Sequence, residues 1–114
     1  MEKFWPELDL ADRYERAQAF FEAGDYGTAR RLLVDVVEEA PAHQASRLLL
    51  ARSCYHSAAL GQAEEQLRII IDRNPADAYA HLMLGRTLQR LGRANEAKPF
   101  LRMASVMRDA PEGE

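Results

Sequence analysis

The sequence predicts an all-α protein built from three stacked helix–turn–helix units, and three observations support this fold class. Proline and glycine are sparse, at five and six of 114 residues. Apolar side chains recur at i, i+3 and i+4, which is the spacing of one face of an α-helix. The pattern also returns at a constant interval, as in Ala29, Ala63 and Ala97. A period of about 34 residues is typical of stacked helical repeats, in which each unit buries its apolar face against its neighbours.

The first unit is predicted to span residues 10–43, after an N-terminal segment of residues 1–9. Its first helix has Ala17, Phe20 and Phe21 on one face, and its second has Ala29, Leu33 and Val36. Pro41 stops the second helix. The stretch from Gly24 to Gly27 is predicted to be a turn between the two helices, with glycines that serve the backbone geometry.

The second and third units are predicted to span residues 44–77 and 78–111, before an acidic tail at residues 112–114. Asp9 and Asp77 precede first helices, where a short acceptor can cap free N–H groups. Small residues recur where two helices must approach closely: Ala17, Ala51 and Gly85 on first helices, and Ala29, Ala63 and Ala97 on second helices.

In this register the chain resembles the tetratricopeptide repeat family over about residues 10–111. The best match is the third unit, with Leu84, Gly85, Gly92, Ala97, Leu101 and Ala104; the first unit matches through Ala17, Phe20, Gly24, Asp25, Tyr26, Ala29 and Pro41. The second unit has Ala51 and Ala58 where glycine is usual. The family's tryptophan is replaced by Arg13, Arg47 and His81, and its closing proline in the third unit by Asp109. The resemblance implies a right-handed stack of three repeats, an α-solenoid, that acts as a protein-interaction module.

Composition narrows the classes of function. The net charge of −3 argues against a general nucleic-acid binder, and the longest apolar stretches are too short to span a membrane. The lone Cys54 cannot form an intrachain disulfide, so we expect a cytoplasmic protein. Thirteen of the fifteen basic residues are arginine, with Lys3 and Lys98 the exceptions. This bias indicates a GC-rich genome, and we expect a bacterial source.

No pattern in the sequence predicts catalysis. Cys54 and His56 are two residues apart on a helix, so they point to different faces and cannot form a nucleophile pair. His43 and His81 also lack a second histidine or cysteine at helical spacing, which argues against a metal site. We therefore predict no catalytic residue, no metal, no cofactor and no enzyme activity.

The resemblance implies a binding groove instead, because ligands of tetratricopeptide proteins usually bind a concave face lined by the first helices. By position the groove residues are Tyr14, Gln18, Phe21, Leu48, Arg52, Tyr55, Tyr79, Leu82, Met83, Arg86, Gln89 and Arg90. This mixture of aromatic, apolar and guanidinium groups suits a peptide or an amphipathic helix of a partner protein. The alternative is that several of these side chains pack against each other.

Two further features refine the expected partner. The charge runs from −3 over residues 10–43 to +4 over residues 78–111, which would steer an acidic ligand to the third unit. The family also contains a clamp for the carboxylate tails of heat-shock chaperones, but the matching positions hold no lysine, arginine or asparagine. They are occupied by Tyr14, Gln18, Leu49, Tyr79 and Met83.

Self-association is the second expectation. The final helix, about Asn95 to Arg108, has an outer apolar stripe that would be exposed in a monomer, and such patches usually mark interfaces. The stripe contains Phe100, Met103, Val106 and Met107. We expect a homodimer, through this helix or through the N-terminal segment with Phe4, Trp5 and Leu8. The alternative function is accordingly a structural subunit that assembles with itself and has no separate ligand.

Overall fold

The computed structural model describes residues 9–109, and this part of the chain contains six α-helices and no strand. Their bounds are α1 Leu10–Glu22, α2 Tyr26–Glu39, α3 Gln44–His56, α4 Leu60–Arg73, α5 Ala78–Arg90 and α6 Ala94–Asp109. The starts of α1, α3 and α5 are separated by one constant interval, and the starts of α2, α4 and α6 are separated by the same interval. The all-α, repeated helix–turn–helix organisation predicted from the apolar spacing is therefore confirmed.

Three aspartates fix helix starts. Asp9 accepts a hydrogen bond from the backbone N–H of Asp12 at 2.8 Å, and Asp77 accepts one from Ala80 at 2.9 Å, which confirms both predicted caps. Asp25 caps α2 in the same way, because a side-chain oxygen at this place satisfies an otherwise free N–H group. His43 stands one repeat period after Asp9 and makes no capping bond to the backbone; its Nδ1 instead lies 2.6 Å from the Ser46 hydroxyl.

The turn that follows each of α1, α3 and α5 has the same hydrogen-bond pattern, with the residue after the cap in the left-handed region. These residues are Gly24, Ala58 and Gly92, at φ values of 83°, 63° and 79°. In the first turn, Gly24 N–H donates to Phe21 O and Asp25 N–H donates to Phe20 O, the paired bonds of a Schellman motif. The turn is shorter than the sequence predicts, because Gly27 already lies inside α2.

The chain separates into two compact units, with the boundary between Ala59 and Leu60. This boundary falls inside the predicted repeat 44–77, so the division into three repeats stays a prediction. In the first unit, α2 packs against both α1 and α3. Its fully buried apolar residues are Ala17, Ala29, Leu33, Ala51 and, at 1% exposure, Val36 and Cys54.

In the second unit, α5 packs against α4 and α6. The approach of α5 to α6 is close at Gly85, where an added Cβ would lie 2.6 Å from Cγ of Leu101 and 3.4 Å from its backbone nitrogen. The separation from Cγ is well below van der Waals contact, so a larger residue here would force the Leu101 side chain or the two helices to move. Ala97 on α6 is also fully buried.

The three residues that replace the family's tryptophan are all buried and polar. Arg13 of α1 donates two hydrogen bonds to the Glu39 carboxylate of α2, at 2.7 and 3.0 Å. Arg47 donates to the Pro41 carbonyl at 3.0 Å, and His81 Nδ1 lies 2.9 Å from the Asp77 carbonyl oxygen. Each of the three side chains thus has at least one polar partner, as is usual for buried polar groups.

Candidate functional site

In the first unit, predicted groove residues meet around the ends of α1 and α3. The Arg52 guanidinium lies over the Phe21 ring, 4.6 Å from its centroid. This cation–π contact joins α3 to α1, and Arg52 is half-buried there. Tyr55 packs edge-on against His56, with ring centroids 5.4 Å apart. Phe21, Arg52 and Tyr55 therefore belong to one aromatic and cationic cluster.

Tyr26 completes this cluster, although it is not among the groove residues predicted from the sequence. Its ring stacks on His56 with centroids 4.7 Å apart and lies 5.1 Å from Phe21. The helical spacing that groups residues on one face gives no signal for Tyr26, because the turn after α1 separates it from Phe21. The cluster also shows that the predicted side chains pack against each other in this unit, as the alternative interpretation expected.

The other three predicted groove residues of the first unit lie nearer the starts of α1 and α3. Tyr14 and Gln18 line a hollow beside the start of α3, together with Val36 of α2 and Ser46 of α3. Tyr14 is half-buried and contacts the His43 ring edge-on at 5.7 Å. Leu48 is half-buried.

In the second unit, one face of α5 presents most of the remaining predicted residues. Tyr79 is 41% exposed, Arg86, Gln89 and Arg90 are exposed, and Leu82 is half-buried. Their spacing of three or four residues places them along one side of the helix. This face combines an aromatic ring with guanidinium groups that can bind carboxylates through two hydrogen bonds each.

Met83 does not belong to the exposed surface of the predicted groove. Its side chain is buried, with 5% exposure, as is that of Leu49 at the same register position of α3. Both therefore belong to a packing face of their helices, and neither offers surface to a ligand. The prediction was wrong because Met83 is one residue from the exposed face, and apolar character alone does not distinguish the two faces.

A charged network in the second unit was also missed. Arg93, just before α6, donates to both carboxylate oxygens of Glu64 on α4, at 2.8 and 3.0 Å, and to Glu96 at 2.8 Å. Arg68, four residues after Glu64 on the same helix, donates to the Glu64 carboxylate at 3.0 Å. The hydrogen bond from Arg93 holds the pKa of the Glu64 carboxyl below its usual range, since it favours the charged form.

The outer stripe of α6 is exposed only in part. Met103 and Val106 are 45% and 65% exposed, whereas Phe100 and Met107 are half-buried. Phe100 lies under the Arg68 guanidinium, at 5.5 Å, and 6.1 Å from the His81 ring. The exposure expected for the whole stripe is therefore wrong for Phe100, because α4 and α5 supply neighbours for its ring. Phe4, Trp5 and Leu8 lie outside the described residues.

Two other kinds of feature are absent from residues 9–109. No group of three or more histidine, cysteine, aspartate or glutamate side chains there is arranged to hold a metal ion. Every helix in the same part of the chain is too short or too polar to cross a membrane.

The starts of the six helices of residues 9–109 repeat at a constant interval, which places this part of the chain in the class of helical repeat proteins. A tetratricopeptide repeat model matches residues 20–81, more than half of the chain, and a second model of the same description matches residues 60–112. The chain therefore belongs to the tetratricopeptide repeat family. No curated protein sequence matches the chain.

Solved structures of the same fold are similar in shape and distant in sequence. A MamA mutant matches with a TM-score of 0.84 and 19% identity, over 89% of this chain and 74% of that chain. The CopN–Scc3 complex matches at 0.83 and 19%, over 90% of this chain and 61% of that chain. The second TPR of Spaghetti (RPAP3), bound to the HSP90 peptide SRMEEVD, matches at 0.78 and 19%, over 86% and 91%. The chain spans about three-fifths of several of these proteins, including other MamA structures.

Proposed function

We propose that this chain is a protein-interaction module in which α1, α3 and α5 present side chains to a peptide or helix of a partner protein. The observation that carries the proposal is the exposed face of α5, where Tyr79, Arg86 and Arg90 project from a tetratricopeptide helix. Two structural neighbours are complexes, one with the HSP90 peptide and one of CopN with Scc3. These support binding as the mode of action, and the work of the protein is then recognition without catalysis.

The charge of the surface favours an acidic partner. Residues 78–111 contain six basic and two acidic residues, and Arg86 is exposed on α5. A chaperone tail is a poor candidate, because the clamp positions lack basic residues and two of them, Leu49 and Met83, are buried. We propose an acidic internal segment of a partner instead, bound in the cytoplasm of a bacterial cell.

The experiment compares proteins captured by the full chain and by two variants. Arg52→Ala with Arg86→Ala should lose the partner while the helical circular-dichroism signal is kept, because both guanidinium groups are expected to contact it. Arg102→Ala is the matched control, since it removes an exposed arginine of the same unit from α6. Binding that is unchanged in the double variant, or equally weakened in the control, would contradict the proposed site.

Self-association through α6 is the second candidate, and the exposure of Met103 and Val106 favours it. The structure also selects the variant: Met103→Glu with Val106→Glu leaves the half-buried Phe100 in place. Light scattering should give twice the chain mass of 12.9 kDa for the natural protein and one chain mass for the variant. A mass near 12.9 kDa for the natural protein at high micromolar concentration would exclude the homodimer.

A further inference from the structure

A largely apolar hollow lies between α5 and α6, on the side of α5 next to the exposed face described above. Tyr79 and Leu82 line it from α5, and Leu101, Ala104, Ser105 and Arg108 from α6. Leu101 is half-buried, whereas Leu33 and Leu67, at the same register position, are fully buried. The Leu101 side chain is therefore less covered in the second unit than its counterpart Leu33 in the first unit, where α3 packs against α2.

The first unit shows what covers this surface. Tyr14 and Val36, two repeat periods before Leu82 and Ala104, line the corresponding hollow, and Ser46 of α3, a helix that packs against α2, lines it as well. The element that packs beside this place in the first unit is thus an α-helix, α3. Because α5 and α6 repeat the spacing of α1 and α2, the open hollow is shaped for a helix that docks as α3 does.

The docking face of α3 has a defined pattern. Ser46 begins it, and Leu49, Leu50 and Ser53 follow at i+3, i+4 and i+7, all buried. The hydroxyl of Ser53 donates to the Leu49 carbonyl at 2.8 Å, so this polar side chain is satisfied within its own helix. The same positions of α5 repeat the pattern with buried Ala80, Met83, Leu84 and Thr87.

The α1 helix of a second copy does not have this face. Its residues at the same positions are Asp12, Glu15, Arg16 and Ala19, all exposed. Placing the Asp12 and Glu15 carboxylates against the apolar wall of the hollow would remove their hydration without a paired cation for each, which is unfavourable. End-to-end stacking of copies through α1 is therefore disfavoured, and the occupant is a different helix.

Charge defines one more position of the occupant. In α3 the residue before Ser53 is Arg52, which lies over Phe21 of α1. The position of Phe21 corresponds to Gln89 of α5, which has Arg86 and Arg90 as neighbours one helical turn and one residue away. An arginine docked there would meet like charges, whereas an acidic side chain would meet two guanidinium groups.

We propose that the hollow between α5 and α6 binds an amphipathic helix of a partner protein with the pattern small-x-x-apolar-apolar-x-acidic-small. The two small residues are alanine, serine or threonine, as in α3 and α5. The hollow goes beyond the peptide binding proposed above, because α6 forms one of its walls, although it shares Tyr79 with the proposed peptide surface.

A synthetic peptide tests the proposal. It has the sequence of residues 43–57 with Arg52→Glu and Cys54→Ser, and a second peptide has Leu49→Asp and Leu50→Asp in addition. Each is titrated into the full-length chain, and amide shifts are followed by NMR. The first peptide should shift the amides of Tyr79, Leu82 and Ser105, and the second should not. A version that keeps Arg52 should bind less tightly, with a difference that decreases as salt is added.

Variants of the chain locate the binding. Ser105→Arg fills the hollow and should weaken the peptide about tenfold or more, since it obstructs a packed interface. Asn95→Arg introduces the same side chain on α6 outside the hollow and should bind normally. Tyr79→Ala, at an exposed position, is a second test if Ser105→Arg does not fold.

Three results would overturn the proposal: no shifts up to about 1 mM peptide, equal binding of the aspartate peptide, or shifts confined to residues 9–59. Arg52→Ala alone tests the proposed peptide surface separately, because Arg52 lies in the first unit, whereas Arg86 is also expected to contact the docked helix. Loss of partner capture in that variant and loss of helix binding in Ser105→Arg are therefore independent outcomes.

Discussion

The helix pairs α1–α2 and α5–α6 have the same register and differ in the chemistry of their surfaces. At three positions of α2 there are Asp35, Glu38 and Glu39, and the same positions of α6 hold Met103, Val106 and Met107. The positions that are buried on α3 and α5 are exposed on α1, where three of the four residues are charged. A terminal repeat needs such a polar outer face to remain soluble. The outer surface of the first helix pair is therefore charged, whereas that of the last helix pair is partly apolar. An interface is expected on the apolar surface of the last pair.

The interiors of the two pairs differ as well. Ala17 of α1 is fully buried and has room for its Cβ, whereas Gly85 at the same position of α5 has none because Leu101 is too close. A buried arginine, Arg13, forms an ion pair with Glu39 that joins α1 to α2. In the last pair His81 and Met107 hold these two positions. The same repeat positions are thus packed by different residues in the two helix pairs. Substitutions can test whether the residues of one pair are tolerated in the other.

The largest effect is expected at Gly85. Gly85→Ala would place a Cβ 2.6 Å from Leu101 Cγ, so α5 and α6 must move apart, at a cost of about 1–3 kcal/mol in the free energy of unfolding. Chemical denaturation measures this cost. Gly61→Ala is the control, since no atom lies within 4 Å of its added Cβ and alanine favours helix. If Gly85→Ala were as stable as Gly61→Ala, the close approach of the last pair would be wrong.

The Gly85 position illustrates what the sequence could predict. The repeat period and the small residues were enough to place the helices and their close approaches, because backbone separation limits side-chain size. The period did not separate packing faces from exposed faces, since Leu49 and Met83 are apolar on helices that are buried on more than one side. That distinction depends on neighbouring helices, and so does the Tyr26–His56 stack, which the sequence pattern did not indicate.

A smaller effect is expected at the ion pair of the first pair. Glu39→Gln would leave the Arg13 guanidinium, whose side chain is 7% exposed, without its carboxylate. Because Glu39 is itself partly exposed, solvent screens the pair, and we expect a loss of about 1–2 kcal/mol in the free energy of unfolding. Glu38→Gln, at the exposed neighbouring residue, should change stability by less than about 0.5 kcal/mol. Equal denaturation midpoints for the two variants would show that Arg13 does not need this partner.

This pair lay outside what sequence reasoning could reach. Arg13 and Glu39 are far apart in the chain, so no i, i+4 rule connects them. The absence of the family's tryptophan at Arg13, Arg47 and His81 was visible in the sequence, but the hydrogen-bond partner of each buried side chain was not. Two use backbone carbonyls and one uses a carboxylate on the next helix. Such choices follow from the positions of the acceptors, which only the folded structure supplies.

A substitution in the turn after α3 is expected to increase stability, by comparison with the turns after α1 and α5. Ala58 has a φ of 63°, whereas the first and third turns have glycine in this conformation. The left-handed region is unfavourable for a residue with a Cβ, so Ala58→Gly should stabilise the fold by about 0.5–1 kcal/mol, after the added flexibility of the unfolded chain. Ala59→Gly is the control and should not stabilise. Thermal unfolding checks both, and a lower midpoint for Ala58→Gly would refute the strained turn.

The smallest effect concerns acid sensitivity, for which the second unit has the clearer cause. The hydrogen bond from Arg93 lowers the pKa of the Glu64 carboxyl in the folded chain. A lowered folded-state pKa contributes stability that is present above the unfolded value of about 4.3 and is lost as the pH falls through the folded value. Glu64→Gln removes this contribution, so the difference in stability between the natural chain and the variant should shrink below about pH 4.

Because Arg93 and Arg68 are partly exposed, the difference at neutral pH should be smaller than for Ala58→Gly. Denaturant midpoints measured from pH 7 to pH 3 test this. Parallel curves for the two proteins would show that Glu64 is not held in its charged form by Arg93.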